Sequence, residues 1–397
     1  MLVRRFVESR GPQFFRRLWM ASTNAAMFSS RAPTILPPDV LVEEEQIPGY
    51  DPKHFYPVNP GDLFHNRYEM LAKVGWGTSS TVWLARDTQR WRWQSDRYVV
   101  LKVIASRYVE QEAAKHELNI DRRLKSKLPH KGALFVRTTL DSFEVAGPDD
   151  RHFCLVYEPL REPFSIYQRR WEDGKLPPSI VKVYTRYLLQ GLDFLHSECH
   201  IIHTDLKPDN IMMTFEDPSV IEDFIQKQAE NPMPRKVKDG RSIYLSHNDF
   251  GRLKLFRVLP VIADFGLAEP GDGSELLRHP IQPPLYHAPE VILGTGWTYS
   301  ADIWNLGVLR DAQIWNLMEN EDLFKDIRSA QGAYDPRAHV AEMIALLGPP
   351  PKTLIDRETS WSDVRWSHAV PNAEGEFCQT AREYYRGPFF NSEGMIY

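Results

Sequence analysis

Residues 202–210 read Ile202-His203-Thr204-Asp205-Leu206-Lys207-Pro208-Asp209-Asn210, two apolar residues running into a dense polar loop. Asp205 and Asn210 have the D-x-x-x-x-N spacing, in which the carboxylate can accept a hydroxyl proton and the amide oxygen can ligate Mg2+. Lys207 lies between them, where an ammonium can neutralise charge on a transferring phosphoryl group. Upstream, Ile180, Val183, Tyr184, Tyr187, Leu188, Gly191, Leu192 and Leu195 recur at three- and four-residue steps, the stripe of a helix buried on one face. Downstream, Val261-Ile262-Ala263-Asp264-Phe265-Gly266 is an apolar strand ending in a carboxylate suited to a second Mg2+ contact. Tyr286-His287-Ala288-Pro289-Glu290 closes the segment.

Towards the N-terminus the pattern shifts to strands. Tyr68–Val74, Thr81–Ala85 and Tyr98–Ile104 are short β-branched and aromatic runs bounded by turns. A helix is expected from about Val109 to Leu124, then strands over Leu134–Phe143 and Phe153–Tyr157. Between the first two strands, Val74 leads into Gly75-Trp76-Gly77-Thr78-Ser79-Ser80-Thr81-Val82. Glycines there let backbone N–H groups approach phosphate oxygens, although a Gly-Trp-Gly hairpin alone is only a turn. Lys102 is the single charge on its strand, and two-residue alternation puts it on the same face as Val100. An ammonium there needs an anionic partner, and Glu117 in the following helix can supply one. His116-Glu117 is not a zinc helix, since Ile120 stands where the second histidine would be needed.

The ordered set of glycine hairpin, strand lysine, helix glutamate, H-x-D-x-K-x-x-N, Asp-Phe-Gly and Ala-Pro-Glu resembles a eukaryotic protein kinase over residues 67–397. Lys207-Pro208 is similar to the serine/threonine version. Gly75-Trp76-Gly77, Ser80-Thr81-Val82-Trp83-Leu84-Ala85, Thr204 and the polar insert at 211–260 look like the SR-protein kinases, closest to short fungal-type members. The resemblance implies an α+β bilobal protein-kinase fold, with a small β-rich N-lobe holding one helix and a large, mainly helical C-lobe. It implies ATP and Mg2+, and as substrate a basic, Arg/Ser-rich protein such as a splicing factor. Asp205 is then the base, Lys207 the charge stabiliser, Lys102 and Glu117 the pair on ATP, and Asn210 and Asp264 the Mg2+ ligands. Residues 74–82 cover the phosphates. In the hinge-like Tyr157-Glu158-Pro159-Leu160, Tyr157 lines the back of the pocket, and the Glu158 carbonyl and Leu160 N–H meet the purine. Asp302 braces the catalytic-loop backbone.

The chain departs from that pattern in places. The third loop glycine is Ser80. Thr204 replaces an arginine that helps hold an activating phosphate, and between Asp264 and Glu290 the only hydroxyl side chains are Ser274 and Tyr286. Activity is therefore expected not to require phosphorylation there. Ala338 and Ala345 fall where docking acids are expected, with Glu321 as a third. Arg310-Asp311-Ala312-Gln313 looks inserted into the helix read over Ala301–Met318, and Arg337–Leu347 reads as a helix stopped by Gly348. The chain is expected to lack the last helices of the large lobe and the arginine partner of Glu290. A binding module without transfer is the alternative to an enzyme.

Composition agrees with a soluble body: 42% hydrophobic and 25% charged residues exclude disorder throughout. Cys154, Cys199 and Cys378 are odd in number and far apart, against a disulfide framework or structural zinc. No apolar stretch is long enough for a membrane span. Residues 1–38 hold six arginines against one glutamate, so the net charge of −5 conceals a body at −10, unlike a nucleic-acid binder. The expected division is a basic leader over 1–38, similar to a mitochondrial transit peptide; an extended Pro/acidic segment over 39–66 with Glu43-Glu44-Glu45; an N-lobe and hinge over 67–160; and a C-lobe over 161–397. The family suggests cytoplasm, nucleus and a monomer, and the leader suggests mitochondria.

Overall fold

The computed structural model describes residues 32–89, 95–255, 257–308, 323–330, 332–391 and 393–397. Most of the leader, the Arg310–Gln313 tetrad and Glu321 lie outside these residues.

The small lobe is one antiparallel sheet. Its strands are β1 (Leu63–Phe64), β2 (Tyr68–Gly77), β3 (Ser80–Asp87), β4 (Arg97–Ile104), β5 (Thr139–Ala146) and β6 (Arg151–Tyr157), in the order β1-β2-β3-β4-β6-β5. β4 is central, pairing Lys102 with Val82 on one side and Leu155 on the other. Helix α1 (Tyr108–Lys125) packs on the sheet. The strand expected from Leu134 starts only at Thr139. Lys131–Phe135 is instead a 3-10 turn pressed onto the next long helix. Gly132 permits that approach, because a Cβ there would lie 2.1 Å from the Gln190 carbonyl oxygen.

The large lobe begins with the short α2 (Phe164–Tyr167) and α3 (Pro178–Asp193), whose Val181, Tyr184, Leu188, Gly191 and Leu192 face the core as the stripe requires. The polar loop follows β7 (Ile201–Ile202) and leads into β8 (Ile211–Met213). β8 pairs with β11 (Pro260–Ile262), so residues 211–213 and 260 belong to the core hairpin, and only the chain between them leaves it.

That excursion is structured. It forms α4 (Ser219–Glu230) and the hairpin of β9 (Arg235–Lys238) and β10 (Arg241–Tyr244). Val220, Ile221, Phe224, Met233, Tyr244 and Phe250 share one apolar cluster with Met70, Trp83, Leu101 and Val103 of the small-lobe sheet. The segment at 39–66 is likewise not an extended approach. Val42, Phe55, Val58 and Phe64 are buried, and Glu43–Gln46 forms a 3-10 turn. Glu44 and Glu45 are buried as well, because Lys73 and Lys236 are buried beside them and supply counter-charge at 2.6 and 2.5 Å.

Beyond β12 (Glu269–Pro270) come the short α5 (Pro289–Ile292), a helix α6 over 300–308, α7 (Pro336–Leu347), α8 (Lys352–Trp361) and α9 (Ala381–Tyr385). Gly348 ends α7 with φ +84°. The Glu290 carboxylate accepts the Ser300 hydroxyl at 2.9 Å. Below it, the Tyr334 hydroxyl lies 3.0 Å from His287 Nδ1 and 2.9 Å from His339 Nδ1. Burial lowers the His287 pKa to about 3 and that of His339 to about 4.

This pair makes folding acid-sensitive. Both histidines stay neutral in the folded chain, whereas unfolded histidine protonates near pH 6.5, so their contribution is present above about 6.5 and is lost as pH falls toward the folded values. Lowering the pH from 7 to 5.5 is expected to remove on the order of 1 kcal/mol per histidine. Denaturant melts of wild type and His339→Gln at both pH values check this; an equally steep acid loss in the variant contradicts it.

Candidate active site

The polar loop is shaped by a carboxylate from the large-lobe interior. Asp302, fully buried on α6, accepts His203 N at 2.7 Å, Thr204 N at 2.9 Å and His196 Nε2 at 2.8 Å. This holds Thr204 at φ +67°, a conformation uncommon for a β-branched residue, and the Thr204 hydroxyl donates to the Leu267 carbonyl at 2.6 Å. His203 Nδ1 accepts Asp205 N at 3.3 Å, which leaves Nε2 to donate to the Ala263 carbonyl at 3.0 Å. The loop is thereby tied to the strand that carries Asp264.

Three sequence-expected residues then converge. Lys207 Nζ stands 2.8 Å from Asp205 Oδ2. Asn210 Nδ2 donates to the same oxygen at 2.8 Å and to the Asp205 carbonyl at 2.9 Å, which leaves its amide oxygen available as a ligand. Across the cleft, Lys102 Nζ is 2.9 Å from Glu117 and 3.4 Å from Asp264. Burial alone would lower the Lys102 pKa, but the two carboxylates hold it above the usual lysine value. The Lys102 charge in turn keeps the Asp264 carboxyl below its usual range. Glu117 is fully engaged, because the Tyr157 hydroxyl donates to its other oxygen at 2.5 Å. Tyr157 thus both lines the cleft and positions Glu117.

The cleft between the lobes has a volume of ≈ 440 Å³. Hairpin β2–β3 contributes Val74, Gly75, Trp76, Gly77, Ser80 and Val82; Lys102, Leu160, Asn210 and Asp264 also line it. Thr78, Ser79 and Thr81 do not. The first two form the hairpin tip, and Thr81 turns to the opposite face by strand alternation, its hydroxyl accepting Trp83 Nε1 at 3.1 Å. The Glu158 side chain points away, to Arg97 at 2.8 Å, and its carbonyl accepts Arg137 at 3.3 Å. Asp205 and Lys207 do not line the cleft; they connect to it through Asn210, which hydrogen-bonds to Asp205.

Several cleft residues escaped sequence reasoning. Arg137 stacks over the Tyr157 ring at 4.3 Å. Phe215, Ser246, Asn248 and Phe250 of the excursion, with Glu43 from the N-terminal turn, form an outer wall. Arg161, buried just after the hinge-like strand, ties that wall down through Glu216 at 3.1 Å and the Gly251 carbonyl at 2.5 Å. Their polar, irregular surroundings in sequence carry no motif.

In the segment from Asp264 to Glu290, Asp272 pairs with Arg123 at 2.6 Å, and the stretch just before Glu290 is held by neutral groups. Gln282 accepts Ala288 N at 2.7 Å and donates to the Ala301 carbonyl and Asn305 Oδ1, both at 3.0 Å. Asn305 donates to the Tyr286 carbonyl at 2.7 Å.

Comparison with known proteins agrees with this geometry. Residues 68–248 match the protein kinase domain family. A serine/threonine protein kinase of Aspergillus fumigatus is 37% identical over 361 residues, covering 89% of this chain and 84% of that one. The serine/threonine-protein kinase SRPK of Physarum polycephalum is 29% identical over 89% of this chain and 82% of its own length. SRSF protein kinase 3 of Mus musculus is 38% identical over 43% of this chain and 30% of its own. The crystal structure of a kinase domain, 24% identical, superposes with a TM-score of 0.57 over 78% of this chain and 79% of that one, showing the shared fold. The bilobal fold, the cleft and these relatives together establish that the chain belongs to the protein kinase family, as a serine/threonine kinase of the SR-protein-kinase type.

Proposed function

We propose that the chain transfers the ATP γ-phosphate to serine hydroxyls of basic, Arg/Ser-rich proteins, using Asp205, Lys207, Asn210, Asp264, Lys102 and Glu117. The observation that carries this reading is that Lys102, Glu117, Asp264 and Asn210 line one cleft, with Asp205 and Lys207 joined to it through the Asp205–Asn210 hydrogen bond. Lys102, held charged, orients the α- and β-phosphates. The glycine hairpin offers backbone N–H groups above them. Asp205 accepts the proton of the serine hydroxyl as its oxygen bonds to the γ-phosphorus and the bond to the β-phosphate oxygen breaks, releasing ADP. Lys207 offsets charge on the transferring group.

The donor set fits Mg2+. Asp264 offers an ionised, half-exposed carboxylate and Asn210 an amide oxygen, both hard ligands. Asp264 and Asn210 would hold Mg2+, and the ion would supply positive charge that offsets the charge of the phosphates.

The substrate class rests on the SR-protein-kinase resemblance and on relatives named for SRSF proteins. Ala338 is half-buried and Ala345 exposed on α7, neither offering charge to an arginine tract. Recognition therefore depends more on residues near the cleft than on an acidic groove. No helix among the described residues is long and apolar enough to cross a membrane. The reading places the kinase, as a monomer, in cytoplasm and nucleus, with the basic leader as the feature that would redirect it to mitochondria. Nothing among the described residues favours a binding module without transfer.

Two outcomes are expected. Asp205→Asn lowers phosphate transfer to an Arg/Ser peptide by about 10²–10⁴ while ATP still binds, measured with radiolabelled ATP and by nucleotide titration; transfer equal to wild type refutes the assignment. Because neutral contacts of Thr204, Gln282 and Asn305 already order the segment before Glu290, phosphatase treatment and Ser274→Ala leave the rate unchanged. A large loss in either sample refutes that independence.

A further inference from the structure

β2 carries the glycine hairpin, and along most of its length one edge has no strand partner. β1 pairs only with Tyr68 and Glu69. At Lys73, two residues before Gly75, chain from the excursion covers that edge: His247 N donates to the Lys73 carbonyl at 2.8 Å, and Lys73 N meets Met233 Sδ at 3.0 Å. A register irregularity between Lys73 and Gly75 starts the hairpin there. The Lys73 side chain is almost completely buried, and its ammonium has three acceptors: Glu43 at 2.8 Å, Glu44 at 2.6 Å and the Tyr244 carbonyl at 2.9 Å. Glu43 also accepts Ser246 N at 2.8 Å and its hydroxyl at 2.7 Å.

One lysine therefore joins the glycine strand, the N-terminal turn and the excursion. Two members of this junction, Glu43 and Ser246, also line the cleft. A buried ion cluster resists opening, since separating it strands charge in a low-dielectric interior. The root of the glycine hairpin can then shift only if the N-terminal turn and the excursion shift with it.

We infer that Lys73, Glu43 and Glu44 are positioning residues that hold the glycine hairpin and the outer cleft wall over the nucleotide, and so set nucleotide affinity and ADP release. This rests on the cleft being the nucleotide site, as proposed above. The three residues touch neither the reacting hydroxyl nor the cluster at Asp205. Losing the junction loosens nucleotide without disabling transfer once nucleotide is bound.

The test uses the full chain and fluorescent mant-ADP, together with steady-state ATP kinetics and thermal melts. Lys73→Met is expected to raise the ATP KM and the mant-ADP dissociation rate about fivefold or more, the lower range of a typical coupling between sites, with kcat largely kept. Glu43→Gln, a milder change that keeps the fold testable if Lys73→Met does not fold, shifts both quantities in the same direction. The double variant falls short of the product of the two, as expected for groups in one network. A folded variant with a lower melting temperature but unchanged KM and ADP release overturns the inference, leaving the cluster purely structural. Asp205→Asn should bind mant-ADP normally. If wild type itself fails to bind mant-ADP, the nucleotide reading of the cleft fails and the inference with it; normal wild-type binding with unaltered variants sinks the inference alone.

Discussion

The active centre hangs on the buried carboxylate of Asp302. Its two oxygens take three donors, two of them consecutive backbone N–H groups of the polar loop. A backbone turned to φ +67° at a threonine is disfavoured by about 1–3 kcal/mol, and it persists because Asp302 and the Leu267 carbonyl each hold one end of the residue. That turn delivers Asp205 to Lys207 and Asn210. From the same turn His203 reaches the Ala263 carbonyl, so Asp264 is set by the same anchor. An ionised carboxylate among backbone donors is a strong clamp, because charge-assisted hydrogen bonds in a dry interior exceed their value in water.

The small lobe adds a second electrostatic chain of opposite polarity. Tyr157, Glu117, Lys102 and Asp264 alternate neutral donor, anion, cation and anion, each within hydrogen-bond reach of the next. The pairing explains why one lysine can stand in the apolar strand β4. The same logic recurs at the rim, where Lys73 and Lys236 neutralise the Glu43–Glu45 turn. In both places a buried cation is bound to segments distant in sequence, so the lobes, the N-terminal turn and the excursion cohere around the cleft.

Much of this centre was legible in the chain, because its chemistry is local. Two-residue alternation in β4 put Lys102 and Val100 on one face, and both line the cleft. The loop from His203 to Asn210 brings its groups together within eight residues. Alternation also shows why the run 74–82 does not line the cleft with every side chain: Thr81 must point away. The acidic triplet misled, since three adjacent glutamates look like a solvated stretch until their lysines, 29 or more positions away, are known. The excursion misled similarly. Its polar composition hides Val220, Ile221, Phe224 and Phe250, whose apolar partners belong to the small-lobe sheet.

The sequence alone therefore carried the resemblance that implies the kinase fold, the order of its motifs and the identity of the charged groups that the structure brings together at the cleft. The fold follows from that resemblance, and the grouping of the charged residues from strand alternation and spacing within single loops. Tertiary structure decided the rest: Tyr157 as the second partner of Glu117, His196 as the third donor to Asp302, and Glu43 with Ser246, Asn248 and Phe250 as the outer wall of the cleft. Each depends on contacts between residues far apart in the chain. A buried charge chooses its partner by proximity in the folded state, and no local pattern encodes that choice.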